Sequence, residues 1–146
     1  MDARWWCLGC AAGLMACVGA PTLPTEDPFP EDALQDQARV ISLGHEVVDR
    51  VGPGLSDRRD WKRFEVRQRA DLEITLKPLA PNRQLQLDAY HADGLPAGTL
   101  ISALGAPKSL RLNAAQGLFY VSIEGDDDAS PLGYVLLVDT VEPTYP

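Results

Sequence analysis

The feature that most constrains the fold is a period-two alternation of apolar and polar residues that recurs from Ala38 onward. The clearest cases are residues 71–76, DLEITL, and residues 84–89, QLQLDA. Successive side chains of a strand point to opposite faces, so this pattern gives each segment one buried and one wet face. No window shows the sustained stripe of an amphipathic helix. The sequence therefore predicts an all-β domain.

Turn residues divide this region into short strands of the length found in sandwiches. Residues 52–54, Gly-Pro-Gly, break the chain sharply, and Asp93-Gly94 marks another turn. One helical turn is predicted within 34–40, before an entering strand that contains the valines of 40–51. Seven or eight strands of this length form two packed sheets. The other strands are predicted at 62–66, 71–76, 84–89, 99–104, 110–112, 118–123 and 134–138.

The N-terminus has the features of an export signal. One basic residue, Arg4, precedes an apolar run of about 11 residues, which is the length of a signal-peptide core and too short to span a bilayer. The run ends in Leu14-Met15-Ala16-Cys17, which resembles the bacterial lipoprotein lipobox. That resemblance implies removal of residues 1–16 and acylation of Cys17, first on its thiol, so that the lipid bilayer becomes a partner of the chain.

The alternative for this segment is an ordinary apolar stretch whose cysteines pack or pair. The three cysteines, Cys7, Cys10 and Cys17, all fall in the first 17 residues. A disulfide framework would distribute cysteines through the folded body, so the signal interpretation is favoured.

Residues 17–37 are predicted to form a tether. They contain four prolines and five acidic residues and have no basic residue. Proline favours extended polyproline II and like charges repel, so we expect a semi-rigid, disordered stalk. The alternative is a proline-rich ligand for a partner domain. Val18 stands where inner-membrane retention signals commonly place Asp, which favours the outer membrane.

The bulk composition leaves one module and excludes some partners. The 146-residue chain has a net charge of −8, which is unfavourable for nucleic acid and gives no general attraction to anionic lipid. With the signal and tether set aside, residues 38–142 form a single domain of ordinary size, followed by a tail at 143–146. The oligomeric state stays open.

The folded part resembles the bacterial pre-peptidase C-terminal domain. The resemblance rests on Asp60-Trp61 followed by Phe64 and Val66, on residues 85–94, on GLFYVSI at 117–123, and on YVLLV at 134–138. It implies a jelly-roll-like, antiparallel β-sandwich found on secreted peptidases and other exported proteins, some of which bind collagen or polysaccharide and use calcium. This chain departs from the pattern with Lys62 in place of an aromatic residue, and with Gln84 and Gln86 in place of aspartates.

A basic stretch that contains one tryptophan is the first candidate site. Alternation places Trp61, Arg63 and Arg67 toward one face, and Tyr120 joins them as the candidate ligand surface. Aromatic faces stack on sugars, and arginine pairs with carboxylates of a protein partner. Two alternatives are solvated arginines beside an edge-capping Trp61, and a patch that contacts the chain's own acidic tether. The basic residues of the stretch are Arg58, Arg59, Lys62, Arg63, Arg67 and Arg69.

An acidic loop is the candidate metal site. Ca²⁺ takes six to eight oxygen ligands, and the loop carboxylates of Glu124, Asp126, Asp127 and Asp128 could supply some of them. The spacing lacks the complete pattern of an EF-hand, and a bare charged turn is the alternative. No other cofactor is expected.

The sequence offers little for catalysis. Its two histidines, His45 and His91, are interpreted as surface or strand-end residues, and no spacing pairs a nucleophile with a base. The main hypothesis is a non-catalytic envelope lipoprotein that presents a binding or scaffolding module to cell-wall or extracellular glycan. The alternative is a structural subunit of an envelope protein complex, and a hydrolase is a minor alternative.

Overall fold

The computed structural model describes residues 34–52, 58–102, 105–126 and 130–142. The predictions for the signal segment with Cys17, for most of the tether, for Asp127 and Asp128, and for the tail lie outside these residues. In the described ranges, no helix is long and apolar enough to cross a membrane. The elements are a 3₁₀-helix (Gln35–Gln37), β1 (Arg39–Val40), β2 (Val47–Val51), β3 (Arg59–Pro78), β4 (Leu85–His91), β5 (Pro96–Ile101), β6 (Lys108–Gly125) and β7 (Leu132–Val141).

Two long antiparallel strands, β3 and β6, run through the whole domain. They pair from Arg59↔Glu124 to Val66↔Gly117, and again from Leu72↔Leu112 to Leu76↔Lys108. Between these two ladders the register shifts, and there both strands change layer. The sequence predicts two short strands in place of each long one, because the alternation breaks at the shift.

Each of the two long strands contributes one half to each of two layers. In the first layer, β4 pairs with the second half of β6, β5 pairs with β4, and the two-residue β1 pairs parallel to β3. In the second layer, β7 pairs with the second half of β3, and β2 pairs with β7. The layers face each other, since Lys62 Nζ of the first lies 2.8 Å from Asp49 Oδ2 of the second. The prediction of an all-β sandwich with seven or eight strands is confirmed.

The alternation seen in the sequence forms the core. Leu72, Ile74 and Leu76 are fully buried, as are Leu85 and Leu87 on β4. Each such side chain contributes about 1.5–3 kcal/mol by leaving water. The other members of the cluster come from both layers: Ile41, Val47, Val51, Phe64, Val66, Ala89, Leu100, Leu112, Ala115, Phe119, Val121, Ile123, Leu132, Tyr134, Leu136 and Val138.

The entering segment differs from its prediction. Residues 40–51 form two strands, β1 and β2, rather than one, because Gly44 adopts a φ of 75° between them and its N–H donates to the Val138 carbonyl at 2.8 Å. β5 ends at Ile101, whereas the sequence suggested a strand at 99–104. The helical turn predicted within 34–40 is present as the 3₁₀-helix.

Candidate functional site

The outward face of the first layer carries a group of aromatic side chains. Arg63, Tyr120 and Tyr90 stand in one row across β3, β6 and β4, because Arg63 pairs with Tyr120 and Tyr120 pairs with Tyr90. Trp61 lies two residues before Arg63 on β3 and therefore on the same face. Its ring centroid lies 5.6 Å from that of Tyr90, at an interplanar angle of 37°. All four side chains are half-buried. We call Trp61, Arg63, Tyr90 and Tyr120 the outer aromatic face.

Core packing fixes the strands beneath this face. Phe64 and Phe119, which alternate with the outward residues, stack in the interior with ring centroids 5.7 Å apart. Both are almost completely buried, so β3 and β6 are held at the position where they carry Arg63 and Tyr120. Residues presented from packed strands are positioned more rigidly than residues on loops.

Polar groups surround the outer aromatic face. Asp88, one row away, accepts hydrogen bonds from Thr99 Oγ1 at 2.7 Å and from Gln86 Nε2 at 2.9 Å. Arg59 Nη2 lies 2.7 Å from Glu124 Oε2, and this carboxylate raises the pKa of Arg59. Aromatic surface with oriented carboxylate, amide and hydroxyl groups can stack on a sugar ring and hydrogen-bond its hydroxyls.

The structure brings together three of the four residues proposed for the ligand surface. Arg67 lies beyond Val66, where pairing with β6 is interrupted; its side chain is 86% exposed and pairs with Glu65 at 3.5 Å. Tyr90 was missed, although the alternation of 84–89 extended by one residue places it on the wet face. The 3₁₀-helix borders the face, since Leu34, Gln35 and Asp36 line a shallow groove of about 440 Å³ with Tyr120.

The two described carboxylates of the predicted acidic loop are in ion pairs, and Glu124 lies within β6 rather than in a loop, because it pairs with Gln86 of β4. Asp126 accepts from Arg83 Nε at 2.7 and 2.9 Å and from the Gln84 N–H at 3.1 Å. Glu124 pairs with Arg59. Across the described ranges, His, Cys, Asp and Glu side chains do not group in threes in a way that could hold a metal ion. The calcium site that includes Asp127 and Asp128 stays a prediction.

A cleft of about 410 Å³ lies at the bend of β6, where no pattern in the sequence predicts one. Leu112 and Phe119 form its apolar floor, and His91, Arg111 and Gln116 are among its polar lining residues. The His91 ring lies over Phe119 with centroids 5.1 Å apart. Both His45 and His91 are exposed, and His91 ends β4, as predicted.

Comparison with solved structures identifies the fold. The pre-peptidase C-terminal domain of a collagenase from Bacillus anthracis superposes with a TM-score of 0.57 at 20% sequence identity, over 69% of this chain and 93% of that domain. The chain has the pre-peptidase C-terminal fold. No protein-family model matches the sequence, and no curated protein is a significant match.

Two further structures show weaker similarity. CorA, a surface-associated copper-binding protein of Methylomicrobium album BG8, has a TM-score of 0.45 at 9% identity, over 69% of this chain and 96% of that one. The carbohydrate-binding module CBM36, solved with calcium and xylotriose, has a TM-score of 0.38 at 11% identity, over 69% and 93%.

Lys62 occupies an unexpected place in this pre-peptidase C-terminal fold. The sequence counts it among the basic residues around Trp61, and in the structure its side chain is completely buried, on the same face of β3 as Phe64 and Val66. Its Nζ donates to Asp49 Oδ2 at 2.8 Å and to Asp60 Oδ1. The Tyr134 hydroxyl donates to Asp60, and Arg39 Nη1 lies 3.5 Å from Asp49 Oδ2 at the rim. Buried charges persist only when paired in this way, because the penalty for leaving water is several kcal/mol per ion.

Proposed function

We propose that this chain is a non-catalytic envelope lipoprotein that presents its β-sandwich as a binding module for cell-wall or extracellular glycan. The observation that carries the proposal is the outer aromatic face. It combines Trp61, Tyr90 and Tyr120 with Arg63 on packed strands, and Asp88 and Thr99 lie within the same sheet. Half-buried aromatic side chains presented from neighbouring strands suit the stacking of pyranose rings.

The N-terminal segment supplies the second part of the proposal. Acylated Cys17 holds the domain at the bilayer, and the acidic tether separates the two. Tethering raises the local concentration of the module near wall polymer, so that weak contacts at the outer aromatic face suffice for retention. The absence of a nucleophile–base spacing in the sequence favours binding over catalysis.

Replacement of Trp61 tests the glycan hypothesis. We expect Trp61→Ala to weaken retention on purified peptidoglycan or on a polysaccharide resin by at least about tenfold, which corresponds to about 1.4 kcal/mol. Trp61→Phe keeps a smaller stacking surface and should retain part of the affinity. The matched control is Val135→Ala, because Val135 is a half-buried apolar residue on β7, in the second layer.

The measurement is the dissociation constant from depletion binding, with thermal unfolding of each variant to confirm the fold. Equal binding by wild type and Trp61→Ala would contradict the glycan hypothesis. Crosslinking of the chain in membranes to one stoichiometric protein would instead favour a structural subunit of an envelope complex.

A further inference from the structure

Three charged side chains meet in the interior between the two layers. Lys62 on β3 is 0% exposed, and Asp49 on β2 and Asp60 on β3 are each 1% exposed. The Lys62 amine contacts a carboxylate oxygen of each aspartate, at 2.8 Å for Asp49. An amine and two carboxylates held together away from water have the components of an amide-forming centre: a nucleophile, an electrophile and a proton carrier.

We propose that Lys62 and Asp49 become joined by an intramolecular isopeptide bond, with Asp60 as the general acid–base. The Lys62 amine contacts Asp60 Oδ1, and transfer of a proton from the Lys62 ammonium to this carboxylate produces the neutral, nucleophilic amine. The fold holds amine and carboxyl together, and effective molarities in well-oriented intramolecular reactions reach about 10⁵–10⁸ M.

The contacts assign different roles to the two aspartates. Asp49 Oδ1 accepts the Arg50 N–H at 2.9 Å, and Arg39 Nη1 approaches Oδ2 at 3.5 Å, so this carboxyl is polarised for attack. Asp60 accepts from the Tyr134 hydroxyl and lies two residues before Lys62 on the same strand. A bond to Asp49 joins β2 to β3 across the sandwich, whereas a bond to Asp60 would only close a small ring within β3.

The step balances without an external reagent. The reaction starts from the Lys62 ammonium, which carries three hydrogens on Nζ, and the Asp49 carboxylate, which carries two oxygens. Nζ attacks the Asp49 carboxyl carbon, the bond from that carbon to Oδ2 breaks, and Oδ2 leaves as water with two of the three hydrogens. Asp60 accepts each of these two protons from Nζ, passes it to Oδ2, and ends as it began, a carboxylate. The third hydrogen stays on the amide nitrogen.

Peptide mapping of the purified full chain tests the bond directly. Trypsin releases peptide 40–50, which contains Asp49, and peptide 60–62, which ends at Lys62. Acylated Lys62 resists cleavage, so we expect 40–50 covalently linked to 60–63, with a mass one water below the sum of the two. Fragmentation should place the link between Asp49 and Lys62.

Variants separate the three roles. Asp49→Leu and Lys62→Met should give no linked pair, and Asp49→Asn should give the identical linked pair by loss of ammonia. Asp60→Asn should slow formation by about 10²–10⁴-fold, which is the usual contribution of a positioned acid–base group.

Recovery of 40–50 and 60–62 from folded wild-type protein as separate linear peptides would overturn the proposal. A water loss confined to peptide 60–63 would overturn the assignment to Asp49. Both outcomes are read on the wild-type chain, so they do not depend on whether a core variant folds.

Discussion

At the scale of single residues, Asp71 holds the bend between the two layers. Its Oδ1 accepts the Ala114 N–H at 2.8 Å, and its Oδ2 accepts from Arg111 Nη2 at 3.1 Å. The backbone hydrogen bond, followed by the Arg111 bond, lowers the pKa of Asp71 from its usual value of 3.8. The ionised carboxylate is therefore favoured in the folded state.

This pKa shift predicts a pH-dependent contribution to stability. Because the folded pKa is the lower one, the contribution of Asp71 is complete above the unfolded value near 3.8 and is lost as pH falls through the folded value. We expect Asp71→Asn to lower the urea midpoint at neutral pH, and the gap to wild type to close in strong acid. Glu73→Gln, an exposed carboxylate on the same strand, is the control. A gap that stays constant at every pH would refute this role.

For Lys62, the sequence pattern predicts burial but not the contact with the other layer. Its alternation with Trp61 and Arg63 already placed it on the same face as Phe64 and Val66, so its burial was within reach of the pattern. Its contact with Asp49 was not, because Asp49 lies 13 positions away on a strand of the other layer. Of the residues predicted for the ligand surface, Trp61, Arg63 and Tyr120 lie on one face because they follow the period of their strands and Arg63 pairs with Tyr120.

At the scale of elements, alternation identified the buried residues better than the strand ends. Residues 71–76 and 84–89 were placed correctly, yet 67–70 and 113–117 appeared to end strands and instead lie within β3 and β6. Local pattern does not encode which distant strands pair. The strand order and the parallel contact of β1 with β3 therefore became known only from the structure.

The bend of β6 contains a residue in an unfavourable conformation. Ala114 has a φ of 51°, in the left-handed region that disfavours any residue with a Cβ. We expect Ala114→Gly to raise the free energy of unfolding by up to about 1 kcal/mol, because relief of this strain exceeds the added entropy of the unfolded chain. Chemical denaturation would measure the change.

The neighbouring residue provides a matched control for this prediction. Ala115 is 5% exposed and pairs with Ala70, and its φ is not positive, so Ala115→Gly should lower stability. If both variants lose stability equally, the positive φ of Ala114 does not lower the stability of the domain, and the prediction is wrong.

At the scale of the whole molecule, buried apolar residues of the described ranges form one cluster that extends from Ile41 to Val138. The chain between Cys17 and Leu34 comprises 17 residue steps. At most about 3.6 Å per residue, it can separate the two ends by about 60 Å. The chain joins the domain beside Tyr120, so this length limits how far the outer aromatic face can stand from the proposed anchor.

Anchoring and folding should therefore be separable. We expect Cys17→Ser to move the chain from the membrane fraction to the soluble fraction while the unfolding temperature of the domain stays the same, since no core residue lies near position 17 in sequence. Cys10→Ser is the control, because it falls in the segment expected to be removed and should leave fractionation unchanged. Mass spectrometry of the N-terminal peptide checks for the acyl chains.

Binding of the Cys17→Ser chain to isolated glycan should still depend on Trp61, whereas its retention in intact envelopes should fall. If the wild-type chain is unacylated and fractionates like Cys17→Ser, the proposed lipid anchor is wrong and only the proposal of a binding module remains.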